Sequence, residues 1–193
     1  MFEILENARK YKNNIALICG EKKISYGNLF FASNELQKII NSNTVSLLVA
    51  DNYSDFVVGY LAFLNKKNTI NIIVDSSFSV EFIDKIIKSF KPNYIYSSKL
   101  EKHLDKQFQK IRTYNSFSLY CTNLPPHKNL NYKNFLLLTT SGTTESPKLV
   151  RLSKQNLINN INNISNNLKI KKNHTTITTM PLGYSYGLSI LNT

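Results

Sequence analysis

The sequence predicts an α/β fold: a mostly parallel sheet flanked by helices on both faces. Three observations carry this expectation. TVSLLVA (44–50), TINIIVD (69–75) and FLLLTT (135–140) are short apolar runs. Each is too short for an ordinary helix and too uniformly apolar for a strand that faces water on one side, so it suits a strand covered on both faces. The segments between the runs carry apolar residues at helical spacing, and Ser25, Ser79 and Ser153 stand at their starts. Strand and helix therefore alternate, which is the pattern of crossovers that lay parallel strands side by side.

In chain order, IALICGEKKIS (15–25) reads as two short strands around a turn at Gly20. Ser25 caps a helix whose apolar residues are Leu29, Phe30, Ala32, Leu36, Ile39 and Ile40. After the first buried strand, SDFVVGYLAFLNKK (54–67) reads as a buried helix ending in lysines, which suit the negative end of its dipole. Ser79 opens a further helix with Phe82, Ile83, Ile86, Ile87 and Phe90 on one face, and Pro92 stops it. NYIYSS (93–98) is a short strand. A short helix around 100–110 and a strand at SFSLYC (116–121) are expected next, before the polar loop TNLPPHKNLN (122–131). KLVRLS (148–153) reads as a strand that leads into the next helix. Ser153 caps that helix, with Leu157, Ile158, Ile161, Ile164 and Leu168 on one face and asparagines on the other. TTITTM (175–180) is expected to be a strand.

Composition bounds the function. The chain has 193 residues, 42% of them hydrophobic, which is enough for a sizeable core and too many for a disordered chain. The net charge of +12 is compatible with nucleic acid, an anionic surface or a phosphate-bearing ligand. The lysines are spread along the chain, however, and no RNP motif or zinc-finger spacing accompanies them. Cys19 and Cys121 stand far apart outside any Cys-x-x-Cys pair, as expected of reduced core residues. His103, His127 and His174 share no ligand spacing, and no metal site is expected from them. Asp51 and Asp75 end buried strands, where loop capping is the expected role. The N-terminus lacks the charged and apolar regions of a leader, and no run approaches a membrane span, so a cytoplasmic location is expected.

The stretch LLLTTSGTTESPKLV (136–150) places six hydroxyl side chains directly after a buried strand and leaves through Pro147 and Lys148. Strands of such sheets present ligands at their carboxyl ends. The loop lacks the glycine-lysine spacing of a P-loop and the Gly-x-Gly-x-x-Gly fingerprint. Hydroxyls, backbone amides around Gly142 and the Lys148 ammonium nevertheless form a set that suits phosphate.

The order of these residues resembles the phosphate-binding signature of the adenylate-forming superfamily, Thr-Ser-Gly-Thr/Ser-Thr-Gly-x-Pro-Lys-Gly. Thr140, Ser141, Gly142, Thr143, Thr144, Pro147 and Lys148 match in register. Two positions depart. Leu149 replaces the final glycine, and Glu145 replaces the glycine before Ser146. A carboxylate at 145 either points to solvent or weakens nucleotide binding, and the sequence leaves both open. MPLGYSYGLS (180–189) resembles the family's Pro-Leu-x-His/aromatic-x-x-Gly stretch through Pro181, Leu182, Tyr184 and Gly187. KISYGNLFFASNELQKII (23–40) resembles its opening helix.

The resemblance implies an enzyme in which a carboxylate attacks the α-phosphate of ATP. The products are an acyl-adenylate and pyrophosphate, and the acyl group then passes to a thiol on CoA or a carrier protein. It implies ATP and Mg2+ as cofactors, a carboxylic acid as substrate, and phosphate contacts from Thr140, Ser141, Gly142, Thr143, Thr144 and Lys148. Tyr184 and Gly187 would border the acyl pocket. Catalytic residues remain unassigned. The family's Tyr-Gly-x-Thr-Glu segment, its ribose aspartate and its lid lysine do not occur in the sequence. The expectation is therefore an incomplete N-terminal domain over 1–193, without the C-terminal part and lid, inactive alone and prone to self-association through an exposed apolar boundary. The alternatives are a non-catalytic nucleotide-binding or regulatory remnant of the fold and, less favoured, a basic nucleic-acid-binding protein.

Overall fold

The computed structural model describes residues 10–104, 106–125, 127, 130–131, 135–139, 148–171 and 173–193. The strands are β1 (Ile15–Cys19), β2 (Lys22–Ser25), β3 (Thr44–Ala50), β4 (Thr69–Asp75), β5 (Tyr94–Ser97), β6 (Phe108–Tyr114), β7 (Phe117–Thr122), β8 (Leu136–Thr139) and β9 (Leu149–Leu152). The helices are α1 (Tyr26–Ile39), α2 (Ser54–Asn65), α3 (Val80–Phe90), α4 (Lys154–Asn167) and α5 (Ser185–Asn192). Seven strands form one sheet in the order β6-β7-β5-β3-β4-β8-β9, and β1-β2 is a separate hairpin. The centre β5-β3-β4-β8 is parallel, whereas both edges close with antiparallel pairs. Every residue of β3 and β4 is buried, so the uniformly apolar runs are the doubly covered strands.

The helix starts follow the serines. Ser25, Ser79 and Ser153 each accept a hydrogen bond from the backbone N–H three residues on, and Ser153 completes a capping box with Asn156. Lys91, in the left-handed region (φ 45°), ends α3 before Pro92. Gly20 makes the β1–β2 turn at φ 60°. Lys66 and Lys67 lie just beyond α2 rather than in its last turn. Phe56, Tyr60 and Phe63 of α2 are fully buried, and each such side chain contributes roughly 1.5–3 kcal/mol of burial.

Two expected elements are corrected. The segment around 100–110 is not a helix among the described residues: Leu104 N–H and His103 N–H bond to Leu100 O, and the chain then enters β6. The spacing of Leu100 and Leu104 imitated a helix, but only one turn forms. β6 has no apolar pattern in the sequence because it is an edge strand whose residues are mostly exposed. TTITTM (175–180) forms no sheet ladder with the described residues, and Ile177 is 80% exposed. No strand among the described residues borders it, so its pattern finds nothing to pair with there.

Asp55, at the start of α2, ties three parts of the fold together. It accepts from Lys22 Nζ (3.2 Å) of the hairpin and from Asn115 Nδ2 (3.0 Å) and Ser116 Oγ (2.9 Å) of the β6–β7 turn. Tyr96 OH donates to its backbone carbonyl (2.9 Å). Burial alone would raise the Asp55 pKa, but the bonds from Asn115, Ser116 and Lys22 outweigh it and hold the carboxyl below its ordinary value. A depressed folded pKa stabilises the fold above the unfolded value of about 3.9 and loses that contribution as pH falls through the folded pKa. Urea unfolding of Asp55→Asn is therefore expected to cost about 1–3 kcal/mol at pH 7 and to lose part of the acid-induced fall in stability seen in the wild type. Equal stabilities at pH 7, with identical pH profiles, would contradict this account.

Candidate functional site

The parallel strands β5, β3, β4 and β8 all end at one edge of the sheet. β8 and β9 are antiparallel with Thr139 opposite Leu149, so residues 140–148 connect two strand ends at that edge. Lys148, exposed, immediately precedes β9. Thr140, Ser141, Gly142, Thr143 and Thr144, together with Glu145 and Pro147, lie outside the described residues. Thr139, at the mouth of the loop, is 6% exposed, and its hydroxyl has no hydrogen-bond partner among the described residues. Ser98 Oγ, just past β5 at the same edge, is also buried without a partner. Buried hydroxyls without partners are uncommon; of the three among the described residues these two stand at the sheet end where ligands bind in this class of fold, and the third, Ser46 Oγ, lies within β3.

The segment 180–187 is fastened over the ends of β3 and β4. Asn52 holds it from both sides: Nδ2 donates to Met180 O (3.3 Å), and Oδ1 accepts from Leu182 N–H (2.8 Å). Gly183 is buried against Asp75 so closely that a Cβ there would lie 2.5 Å from the Asp75 Cα. Tyr184 is half-buried, and its ring lies 6.3 Å from that of Phe78, which stacks on Phe82 at 4.5 Å. Gly187 is buried at the start of α5, where a Cβ would lie 2.3 Å from the Pro181 carbonyl oxygen. Tyr60 OH anchors the far end of α5 by donating to Asn192 Oδ1 (3.0 Å). Burial raises the Tyr60 pKa despite that bond, so the phenol stays a neutral donor.

The structure thus brings Tyr184, Gly187 and the two ends of the hydroxyl loop to one edge. Sequence reasoning missed Asn52, Gly183 and Thr139. The only local signal for Asn52 was a polar residue just past a buried strand, and nothing in the sequence links it to Met180. Asp51 and Asp75 cap loops, as expected. Asp51 accepts from Asn52 N–H and pairs with Lys99 (3.5 Å), whose ammonium also reaches Ser76 Oγ (3.3 Å). Asp75 Oδ1 accepts from Ser77 N–H and Oγ (3.0 and 2.6 Å). The His103 ring is exposed, His127 Nε2 lies 3.1 Å from Lys91 O, and the exposed His174 accepts from Lys171 N–H through Nδ1 (3.4 Å). No group of three metal-ligating side chains occurs among the described residues, so none of them is assigned to magnesium. Cys19 and Cys121 are free and half-buried, and burial raises the Cys121 pKa. A cleft of about 440 Å³ lies away from this edge, between the C-terminal half of α3 and the segment before β6, with Ile87 and Phe108 in its lining.

A profile of the AMP-binding enzyme family matches residues 4–193. No curated protein sequence matches significantly. Among solved structures, the chain resembles o-succinylbenzoate CoA synthetase (MenE) from Bacillus subtilis in complex with the acyl-adenylate intermediate OSB-AMP. The TM-score is 0.77 at 19% identity, over 97% of this chain and 51% of that one. The same enzyme in complex with ATP and magnesium ion gives 0.73 at 17% identity, over 98% and 53%. VinN in complex with 3-methylaspartate gives 0.74 at 13% identity, over 98% and 57%. The chain spans about half the length of these structures, and the likeness is one of fold. Among the described residues, no helix is long and apolar enough to cross a membrane.

Proposed function

This chain belongs to the AMP-binding enzyme family, and from that premise we propose that it carries the phosphate-binding half of an AMP-forming ligase acting on a carboxylic acid. The family match over nearly the whole chain carries the reading, and the β8–β9 pairing, with Thr139 opposite Leu149 at the carboxyl end of β8, supports it. In the proposed reaction a carboxylate oxygen attacks the α-phosphorus of ATP. The bond from that phosphorus to the bridging oxygen breaks, and pyrophosphate departs with the electron pair. Charge builds on the leaving group, and donors held ready for it lower the barrier. Lys148 supplies the cation, the hydroxyls of Thr140, Ser141, Thr143 and Thr144 supply donors, and the amides around Gly142 complete the cradle. The buried, unpartnered hydroxyl of Thr139 supports a polar ligand or loop partner at this place.

Tyr184 and Gly187 border the acyl side of the same site. Asn52 and the close contact of Gly183 with Asp75 hold them there. The similar structures were solved with an acyl-adenylate and with an amino acid bound. A thiol acceptor, either CoA or a carrier protein, and a cytoplasmic location belong to the same proposal. Glu145 supports a second reading, a nucleotide-binding remnant without turnover, since a carboxylate in the cradle opposes phosphate.

Calorimetric titration with ATP and with pyrophosphate at moderate salt tests the site. Lys148→Ala is expected to weaken binding by about 1–3 kcal/mol, as for a lost charge-assisted contact. Lys23→Ala, which removes an exposed charge on β2, controls for the overall +12 and should change little. Glu145→Gly should tighten binding if the carboxylate faces phosphate. Equal affinities for Lys148→Ala and Lys23→Ala would remove the loop as a phosphate site.

A further inference from the structure

Two side chains at the centre of the sheet are polar, wholly buried and incompletely hydrogen-bonded. Ser46 of β3 and Asn71 of β4 are both 0% exposed. They are register partners on adjacent parallel strands, so they stand side by side. Their face is the one that α2 covers, since the alternate residues Leu48, Ala50 and Ile73 pack with Phe56, Tyr60 and Phe63 in one core cluster. Asn71 Nδ2 donates to Thr69 Oγ1 and to Phe135 O, both at 3.3 Å. Asn71 Oδ1 has no partner among the described residues, and neither has Ser46 Oγ. The two ends of an amide point apart, so committing Nδ2 to Phe135, beside β8, leaves Oδ1 on the side of β3 and Ser46. The polar groups around the pair are already engaged. Thr69 Oγ1 donates to Phe63 O (3.1 Å), and Tyr94 OH, on the β5 register partner of Ser46, accepts from Asn41 N–H (3.1 Å).

We propose that Ser46 Oγ and Asn71 Oδ1 hold one internal water between them, in a closed site beneath α2. A buried carbonyl and a buried hydroxyl are costly to leave unbonded, and polar neighbours too far apart for a direct bond are joined by a water. The two atoms have complementary roles. Oδ1 accepts from the water, and the serine hydroxyl either accepts or donates. Buried waters are retained by about two to four polar partners, and this pair supplies two. The enclosure comes from this chain's own elements. Every residue of β3 and β4 is buried, and Phe63 of α2 lies over the place, its ring 6.2 Å from that of Tyr94 and 6.4 Å from that of Tyr96. The site is independent of the proposed nucleotide loop.

Relaxation dispersion of the water oxygen nucleus, measured on the purified chain, counts long-lived internal waters, and exchanging hydroxyl protons do not contribute to it. The wild type is expected to hold one such water more than Ser46→Val, whose methyl groups replace the hydroxyl and fill the space beside Asn71. Asn71→Leu removes the other partner and is expected to lose the same water, so a Ser46→Val chain that fails to fold does not end the test. A crystal structure of the wild-type chain needs no variant: a water oxygen is expected about 2.8 Å from both Ser46 Oγ and Asn71 Oδ1. Equal counts in the wild type and in a folded variant overturn the proposal. A wild-type crystal structure in which Ser46 Oγ bonds directly to Asn71 Oδ1, or in which the space between them is dry, overturns it equally.

Discussion

Gly59→Ala is expected to destabilise the chain by roughly 3 kcal/mol or more, although alanine is the better helix former by up to about 1 kcal/mol. Gly59 lies in the middle of α2, where the helix crosses β5. A Cβ there would lie 2.1 Å from Cε1 and 2.4 Å from Cδ1 of Tyr96. The Tyr96 ring has no room to retreat. It is fully buried, stacked on Phe117 at 4.9 Å, and tethered by its hydroxyl to Asp55 O. Either α2 lifts off the sheet or the ring breaks its tether, and both disturb the main core. For a chain of this size, roughly 2–4 °C per kcal/mol predicts a fall in Tm of about 10 °C. A second change gives the mechanism: Tyr96→Leu shortens the obstructing side chain, so in the Gly59→Ala background it should cost far less than it does alone. Additive losses, or a Gly59→Ala chain as stable as wild type, would refute the close-approach account.

Gly183→Ala is expected to release the segment 180–187 from the sheet edge. Its Cβ would lie 2.5 Å from both Cα and Cβ of Asp75, whose backbone is held by its pairing with Ala50 of β3 and by its place at the end of a central strand. We expect a loss of roughly 2–3 kcal/mol, with faster hydrogen exchange at the Leu182 and Leu188 amides than at β3 or β4. Asn52→Ala removes two hydrogen bonds from the same segment and should act in the same direction by about 1–2 kcal/mol. Because Tyr184 and Gly187 ride on this segment, both variants should also disturb the acyl side of the proposed site. Unchanged exchange at Leu182 in Gly183→Ala would show that the segment is not held by this contact.

The elements legible in the sequence were those whose signal is local. β3 and β4 were readable because a strand covered on both faces must be apolar at every position. The starts of α1, α3 and α4 were readable because a serine hydroxyl meets an orphan amide three residues away. β6 was not readable, since an exposed edge strand needs no apolar pattern, and its partner β7 supplies the ordering. TTITTM misled for the opposite reason: propensity asks for a strand, but a ladder needs a neighbour. The hydroxyl loop was found through the order of its residues rather than its composition. Of its expected phosphate ligands, only Lys148 falls among the described residues.

The sequence by itself determined the α/β class, the buried strands, the capped helix starts and the placing of the hydroxyl loop after a strand. Each of these depends on groups a few residues apart. Tertiary structure alone decided that the parallel sheet closes with antiparallel pairs at both edges, and that Asp55 joins the hairpin to the β6–β7 turn. It alone decided that Asn52 and Asp75 receive the segment carrying Tyr184. Those partners lie far apart along the chain, 128 residues in the case of Asn52 and Met180. No periodicity or propensity spans such a distance, and only the packing of the core brings the two together.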